Sequence, residues 1–189
     1  MRPTCDHHRR RLIARLPLLL APALPWSARA QEQRTPPPEV AAELPEARWR
    51  GAVVLRFLGL QIYDLRLWSA NAVTGDGAGQ PLALELQYAR GLSGARIAQR
   101  SIDEMKRIGP LTDAQSERWL AAMTRLFPDV TAGDRLTGVQ VPGKGARFFF
   151  NGQLRGEVAE PEFARLFFGI WLSPKTSEPA LRTQLLAGA

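Results

Sequence analysis

The chain has 189 residues, with 25 Lys and Arg against 18 Asp and Glu for a formal net charge of +7, and it contains one Cys and two His. That length suits one domain with a real core. Cys5, His7 and His8 all fall within residues 1–30, so the rest of the chain lacks the side chains for a disulfide, a thiol nucleophile, a Ser-His-Asp triad or a Cys/His zinc site.

Residues 1–30 read as a secretory signal. His7-His8-Arg9-Arg10-Arg11 is a basic head, Leu12 to Trp26 an apolar run broken by Arg15 and prolines, and Ala28-Arg29-Ala30 a small-x-small cleavage site. Cleavage after Ala30 would make Gln31 the first residue of a periplasmic or secreted protein. The run is too short and too broken to span a membrane. The arginine run leaves both the general and the twin-arginine export routes open. Six Arg and one Asp lie in this segment, which leaves 19 cations against 17 carboxylates, a net +2, for the remainder. The basic excess therefore belongs to export, and no nucleic-acid partner is expected. No later segment is apolar enough for an integral membrane span.

Residues 31–46 hold Pro36-Pro37-Pro38 and little hydrophobic pattern, and read as a flexible or extended lead-in. Residues 47–189 form the expected domain. Trp49 to Phe57 and Leu60 to Trp68 carry strand formers, either as two strands or as one long strand bent at Gly59. Ser69 to Gln80 is a glycine-rich surface loop. In Leu82 to Tyr88 the even positions are apolar, the pattern of a half-buried strand.

Two helices follow. Ser93 caps the first, whose apolar face holds Ile97, Ala98, Ser101, Ile102, Met105 and Ile108, with Gly109-Pro110 as the stop. Thr112-x-x-Gln115 has capping-box spacing ahead of a second helix with Trp119, Ala122, Met123 and Leu126 on one face. Leu136 to Val141 and Ala146 to Phe150 are strands joined at Pro142-Gly143-Lys144-Gly145, and Asn151-Gly152 breaks off another. Pro161 suits the first turn of a helix over Phe163 to Trp171. Thr176 or Ser177 caps a last helix that ends at Gly188. Runs of strands alternating with runs of helices predict an α+β fold, an antiparallel sheet covered on one face by helices. No internal repeat is visible.

Gly138-x-x-x-x-Gly143-Lys144 approaches a phosphate-binding loop. Gly145 stands where the magnesium-binding hydroxyl belongs, and the flanks are strand and strand, so a hairpin turn is the better reading. Arg96, Arg100 and Arg107 lie with Asp103 opposite the apolar face of their helix. They form either a solvated face or an anion clamp at a pocket mouth. Arg56, mid-strand among apolar residues, is either an exposed edge cation or the anchor of an anionic ligand. Tyr63 and Tyr88 read as core tyrosines. Phe148, Phe149, Phe150, Phe163, Phe167, Phe168 and Trp171 read as core that can also wall an apolar pocket.

Three segments together resemble one family. Phe57-Leu-Gly-Leu-Gln-Ile-Tyr63, Met105-Lys106-x-Ile108-Gly109 with Thr112-Asp113-Ala114, and Gly169-x-x-x-Ser173-Pro174 before a leucine-rich helix are similar in order and spacing to segments of the chalcone isomerases. The likeness covers about Ala47 to Leu186 and is closest to an exported bacterial branch. It implies an antiparallel sheet with a helical layer and a ligand cleft between them. The catalytic positions carry over poorly. The upstream arginine falls at Glu46, near Arg48 and Arg50. The strand threonine falls at Leu58, and a helical Tyr, Lys and Asn fall at Ser93, Arg96 and Arg100. A later hydroxyl falls at Leu166. The reaction needs positioned hydroxyls and a cation, so no catalytic residue is assigned.

Other members of that superfamily bind fatty acids through an arginine and an apolar cleft. The resemblance thus implies a non-catalytic protein that binds a fatty acid or similar apolar carboxylate, without cofactor or metal. Arg56, Leu58, Tyr63, Arg96, Arg100 and Leu166 are the expected ligand-binding side chains. The alternatives are an isomerase or intramolecular lyase acting on a small unsaturated carbonyl compound, and an envelope assembly partner with a vestigial cleft.

Overall fold

Alternating apolar residues and tight turns dominate the sheet. A computed structural model describes residues 34–187. Its strands are β1 (Arg48–Phe57), β2 (Leu60–Ser69), β3 (Leu82–Tyr88), β4 (Arg135–Val141), β5 (Gly145–Phe150) and β6 (Gln153–Val158). They form one sheet in the order β1-β2-β3-β4-β5-β6, and every pairing is antiparallel. The junction near Gly59 is a hairpin rather than a bend: Leu58 and Gly59 have φ of 49° and 78° and reverse the chain between β1 and β2. Asn151-Gly152 does the same between β5 and β6. Positive φ at both central residues matches the right-handed twist of the flanking strands. The Pro142–Lys144 segment is likewise a turn between β4 and β5.

Among the described residues there are five helices: α1 (Pro38–Glu43), α2 (Gly94–Ile108), α3 (Asp113–Leu126), α4 (Pro161–Leu172) and α5 (Pro179–Leu186). Helices α2 to α5 share one core with one face of the sheet. That core is centred on aromatic side chains. Phe148 meets Phe167 edge-on at 5.1 Å and Phe127 at 5.0 Å, and Phe163 stacks on Phe167 at 5.5 Å. Each such ring contributes roughly 1.5–3 kcal/mol by burial and about 0.5–1.5 more by ring contact.

Helix α2 begins after Ser93, but the Ser93 side chain makes no cap bond. Asp129 Oδ1 instead accepts from Gly94 N at 2.9 Å. Gly94 fits because a Cβ there would collide with the Phe127 and Pro128 backbone. Helix α3 has the capping box its spacing predicts: Gln115 N donates to Thr112 Oγ1, and Thr112 N donates to Gln115 Oε1 at 2.9 Å. The last helix departs from expectation. It starts at Pro179, and neither Thr176 nor Ser177 caps it. The Thr176 hydroxyl donates to Ile170 O at 2.6 Å and accepts from Glu178 N at 3.1 Å, so it ties the end of α4 to the residue that precedes α5.

The proline-rich lead-in is also more ordered than its composition suggests. Pro38 occupies the start of α1, and Val40 is fully buried. This short helix lies on the other face of the sheet, against Trp68, Ala83, Val139 and Phe149. Glu39 accepts from Arg135 Nη2 at 2.9 Å and Thr137 Oγ1 at 2.9 Å. Glu85 accepts from Arg66 Nη1 at 2.8 Å and Trp68 Nε1 at 2.9 Å. Strand β3 is therefore buried on both faces rather than half-buried. Its inner carboxylate, Glu85, is tolerated because hydrogen bonds and a cation satisfy it.

Candidate ligand cavity

Between the sheet and helices α2, α4 and α5 lies a cavity of about 310 Å³. Leu84 and Leu86 of β3, Leu136 and Gly138 of β4, and Phe148 of β5 make its floor. These residues follow the period of two that brings alternate side chains to one face. Ile97 of α2, Phe167, Ile170 and Trp171 of α4, and Leu181 of α5 close the other side. Leu55 and Ile62 carry the lining out along the β1–β2 hairpin.

Few polar groups reach this apolar space. Tyr63 and Tyr88 are cross-strand partners whose rings meet edge-on at 5.8 Å. The Tyr63 hydroxyl accepts from Trp171 Nε1 at 2.9 Å, which leaves its own proton to donate. The Tyr88 hydroxyl makes no hydrogen bond with a described residue. Burial pushes both phenols well above their ordinary value of 10.0, so each stays a neutral donor rather than a base.

At the rim, Arg96 and Arg100 project from one side of α2. Arg96 is exposed and makes no hydrogen bond or ion pair with a described residue. Arg100 Nη2 holds Glu104 Oε1 at 2.6 Å, and Arg107 Nε stands 3.7 Å from Glu104 Oε2. Glu104 is buried in the cavity wall, and its Oε2 has no hydrogen bond. Two guanidinium groups thus neutralise one buried carboxylate, an arrangement in which removing a partner is costly. Ser101 donates to Ile97 O of its own helix at 2.9 Å.

Of the side chains singled out from the sequence, Tyr63, Arg96 and Arg100 line the cavity, whereas Arg56, Leu58 and Leu166 do not. Arg56 follows a bulge in β1 and is exposed. Leu58 sits on the turn itself, 86% exposed, so it does not share a strand face with Arg56. Leu166 is wholly buried between α4 and Gly109, away from the cavity. Leu58 and Leu166, at the positions of two of the family's hydroxyls, therefore lie elsewhere, and the hydroxyl residues that line the cavity are Tyr63, Tyr88, Ser101 and Ser177. Glu104 was missed from the sequence: at 100° per residue it falls about 20° beyond Ile97, at the edge of the apolar face of α2 nearest Arg100, where a carboxylate reads as solvated.

Among the described residues, no group of three or more His, Cys, Asp or Glu could hold a metal ion. No helix among them is long and apolar enough to cross a membrane. A second groove runs beside Lys144, but its Arg147 is already held by Glu43 at 2.6 Å.

A family profile described as chalcone isomerase-like matches residues 68–187. An uncharacterized protein of Haemophilus influenzae is 28% identical over 144 residues, which is 75% of this chain and 70% of the relative. The crystal structure of a fatty-acid binding protein of Arabidopsis thaliana superposes with a TM-score of 0.59 at 14% identity, over 75% of this chain and 87% of that one.

Proposed function

The chain belongs to the chalcone isomerase-like family, and from that premise we propose that it is an exported, non-catalytic binding protein for a fatty acid or a similar apolar carboxylate. The observation that carries this reading is the polarity of the cavity. Its walls are mostly carbon, its buried donors are two neutral phenols, its buried carboxylate, Glu104, is paired with Arg100 and Arg107, and its free cation among the described residues, Arg96, stands at the rim. An alkyl chain gains from burial against such walls. A carboxylate at the mouth gains from Arg96 and the phenol donors, and charge-assisted bonds of this kind are the strong ones. The volume lies near the lower end of the ~300–1,000 Å³ usual for small-molecule sites, which suits a single chain rather than a bulky ring system. The fold shared with a fatty-acid binding protein is compatible with this reading. Export rests on the N-terminal sequence, since residues 1–33 lie outside the described residues.

Titration of delipidated protein with saturated acids of graded length tests the proposal. Saturable binding with an optimum in chain length is expected, and no uptake at any length would overturn it. Tyr88→Phe is the cleanest variant, because the hydroxyl serves no bond in the fold. It should weaken binding about ten-fold at unchanged thermal stability. Arg96→Gln should weaken it as well, with a loss that shrinks at high salt.

A further inference from the structure

We propose that the β1–β2 turn is a membrane-docking tip that sets the cavity against a lipid bilayer. The tip stands on its own observations; only its purpose, the exchange of an apolar acid with the bilayer, rests on the ligand reading above. Phe57, Leu58 and Leu60 are 63%, 86% and 53% exposed. Phe57 and Leu60 are direct cross-strand partners, with Leu58-Gly59 between them. Exposed apolar side chains are ordinary when scattered, but three large ones on one turn form a patch.

The backbone makes the choice of residue sharper. Leu58 has φ 49° and Gly59 φ 78°, and a turn of that kind favours Asn-Gly or Asp-Gly. A leucine in the left-handed region is strained, and here its side chain packs on almost nothing. No contact among the described residues accounts for it.

The shape of the tip favours a bilayer over a protein partner. A stable protein interface buries roughly 800 Å² on each side, more than a short convex turn presents. Insertion at a membrane interface needs only a few apolar side chains with cations at headgroup depth. Arg56 is exposed beside the tip, and Arg96 and the half-free Arg100 stand at the cavity rim. The nearby acid Asp64 accepts from Gln61, and Glu178 at the rim is the opposing charge. Leu55 and Ile62 join the tip to the cavity lining, so an alkyl chain leaving a bilayer would stay against carbon along the way.

Flotation with phosphatidylglycerol/phosphatidylethanolamine vesicles tests the proposal. The full chain is expressed, and the two proteins compared differ only at the tip. The original protein should float with the vesicles. The Leu58→Asn, Leu60→Thr variant should lose about ten-fold or more in vesicle affinity. Its thermal midpoint should be unchanged or higher, because Asn suits the turn. Failure of the original protein to float, or equal flotation of the variant, would overturn the docking tip. Self-association abolished by the variant, without vesicle binding, would overturn it in favour of a protein contact. Fatty-acid uptake without flotation would sink the tip alone, and flotation without uptake would sink the ligand reading alone.

Discussion

Tyr63 and Tyr88 are the only tyrosines in the chain, and both line the cavity, so one optical signal reports on the site. Burial raises both phenol pKa values in the folded state. A group shifted upward stabilises the fold below its ordinary value of 10.0, and that contribution is lost as the pH rises, because the unfolded chain releases the protons more readily. In an alkaline titration the tyrosinate absorbance should stay flat through the ordinary range near pH 10. It should then rise together with the loss of circular dichroism. A gradual rise with the fold intact would show that the hydroxyls reach water, contrary to their assignment as buried donors. A single hydrogen bond, Trp171 to Tyr63, links this pair to α4, so the site is anchored across the core and not by the sheet alone.

At the scale of elements, what was legible depended on whether the deciding contact was local. Helices α2 and α3 could be read from their apolar stripes, and α3 from its capping box, because those signals lie within a few residues. Helix α1 could not. Its carboxylate Glu39 finds Arg135 and Thr137 some hundred residues further on, and three consecutive prolines point a local reading to a flexible or extended segment. The start of α5 was misplaced for a related reason: Thr176 looks like a cap, but its hydroxyl joins Ile170 O to Glu178 N, and the helix begins only after Glu178. The hairpin at Leu58 was obscured because leucine is a poor turn former, and with it went the expected places of Arg56 and Leu58. Helix α5 also supplies a test. It packs so closely on β1 that a Cβ on Gly51 would strike Leu185 O, and backbone cannot step aside as a side chain can. Gly51→Ala should therefore destabilise the protein by about 1–3 kcal/mol, measured by denaturant unfolding. It should also weaken fatty-acid uptake, since Leu181 on the same helix lines the cavity. Unaltered stability would mean that the helix can shift without loss.

For the whole molecule, the charged groups divide by place. Glu160 is held below the ordinary carboxylate range by Arg118, and Glu162 by Arg165. Asp134 is held down by Asn151 first and then by Thr131. A lowered folded value stabilises above the unfolded one and is lost as pH falls through the folded one. Stability should therefore be level near neutrality and decline once the pH drops below the ordinary values of 3.8 to 4.5. Thermal midpoints measured against pH should show this, and Glu160→Gln should flatten the acid limb. An unchanged acid limb in that variant would shift the effect to other carboxylates. These groups lie in two places, Glu160 and Glu162 at the start of α4 and Asp134 beside Asn151 at the opposite end of the β4–β5 pair, so acid should loosen both ends of that pair.

The strand order has a temporal meaning as well. β1 to β3 and β4 to β6 are each meanders of sequence neighbours, whereas β3 and β4 meet only after the α2–α3 excursion. Contacts distant in the chain form late, because closing the longer loop costs more entropy before any pairing offsets it. The cavity floor straddles that seam, with Leu84 and Leu86 on one side and Leu136 and Gly138 on the other. The binding site would thus be among the last parts of the molecule to exist. Any ligand the cavity takes would then be held only by a chain that has finished folding.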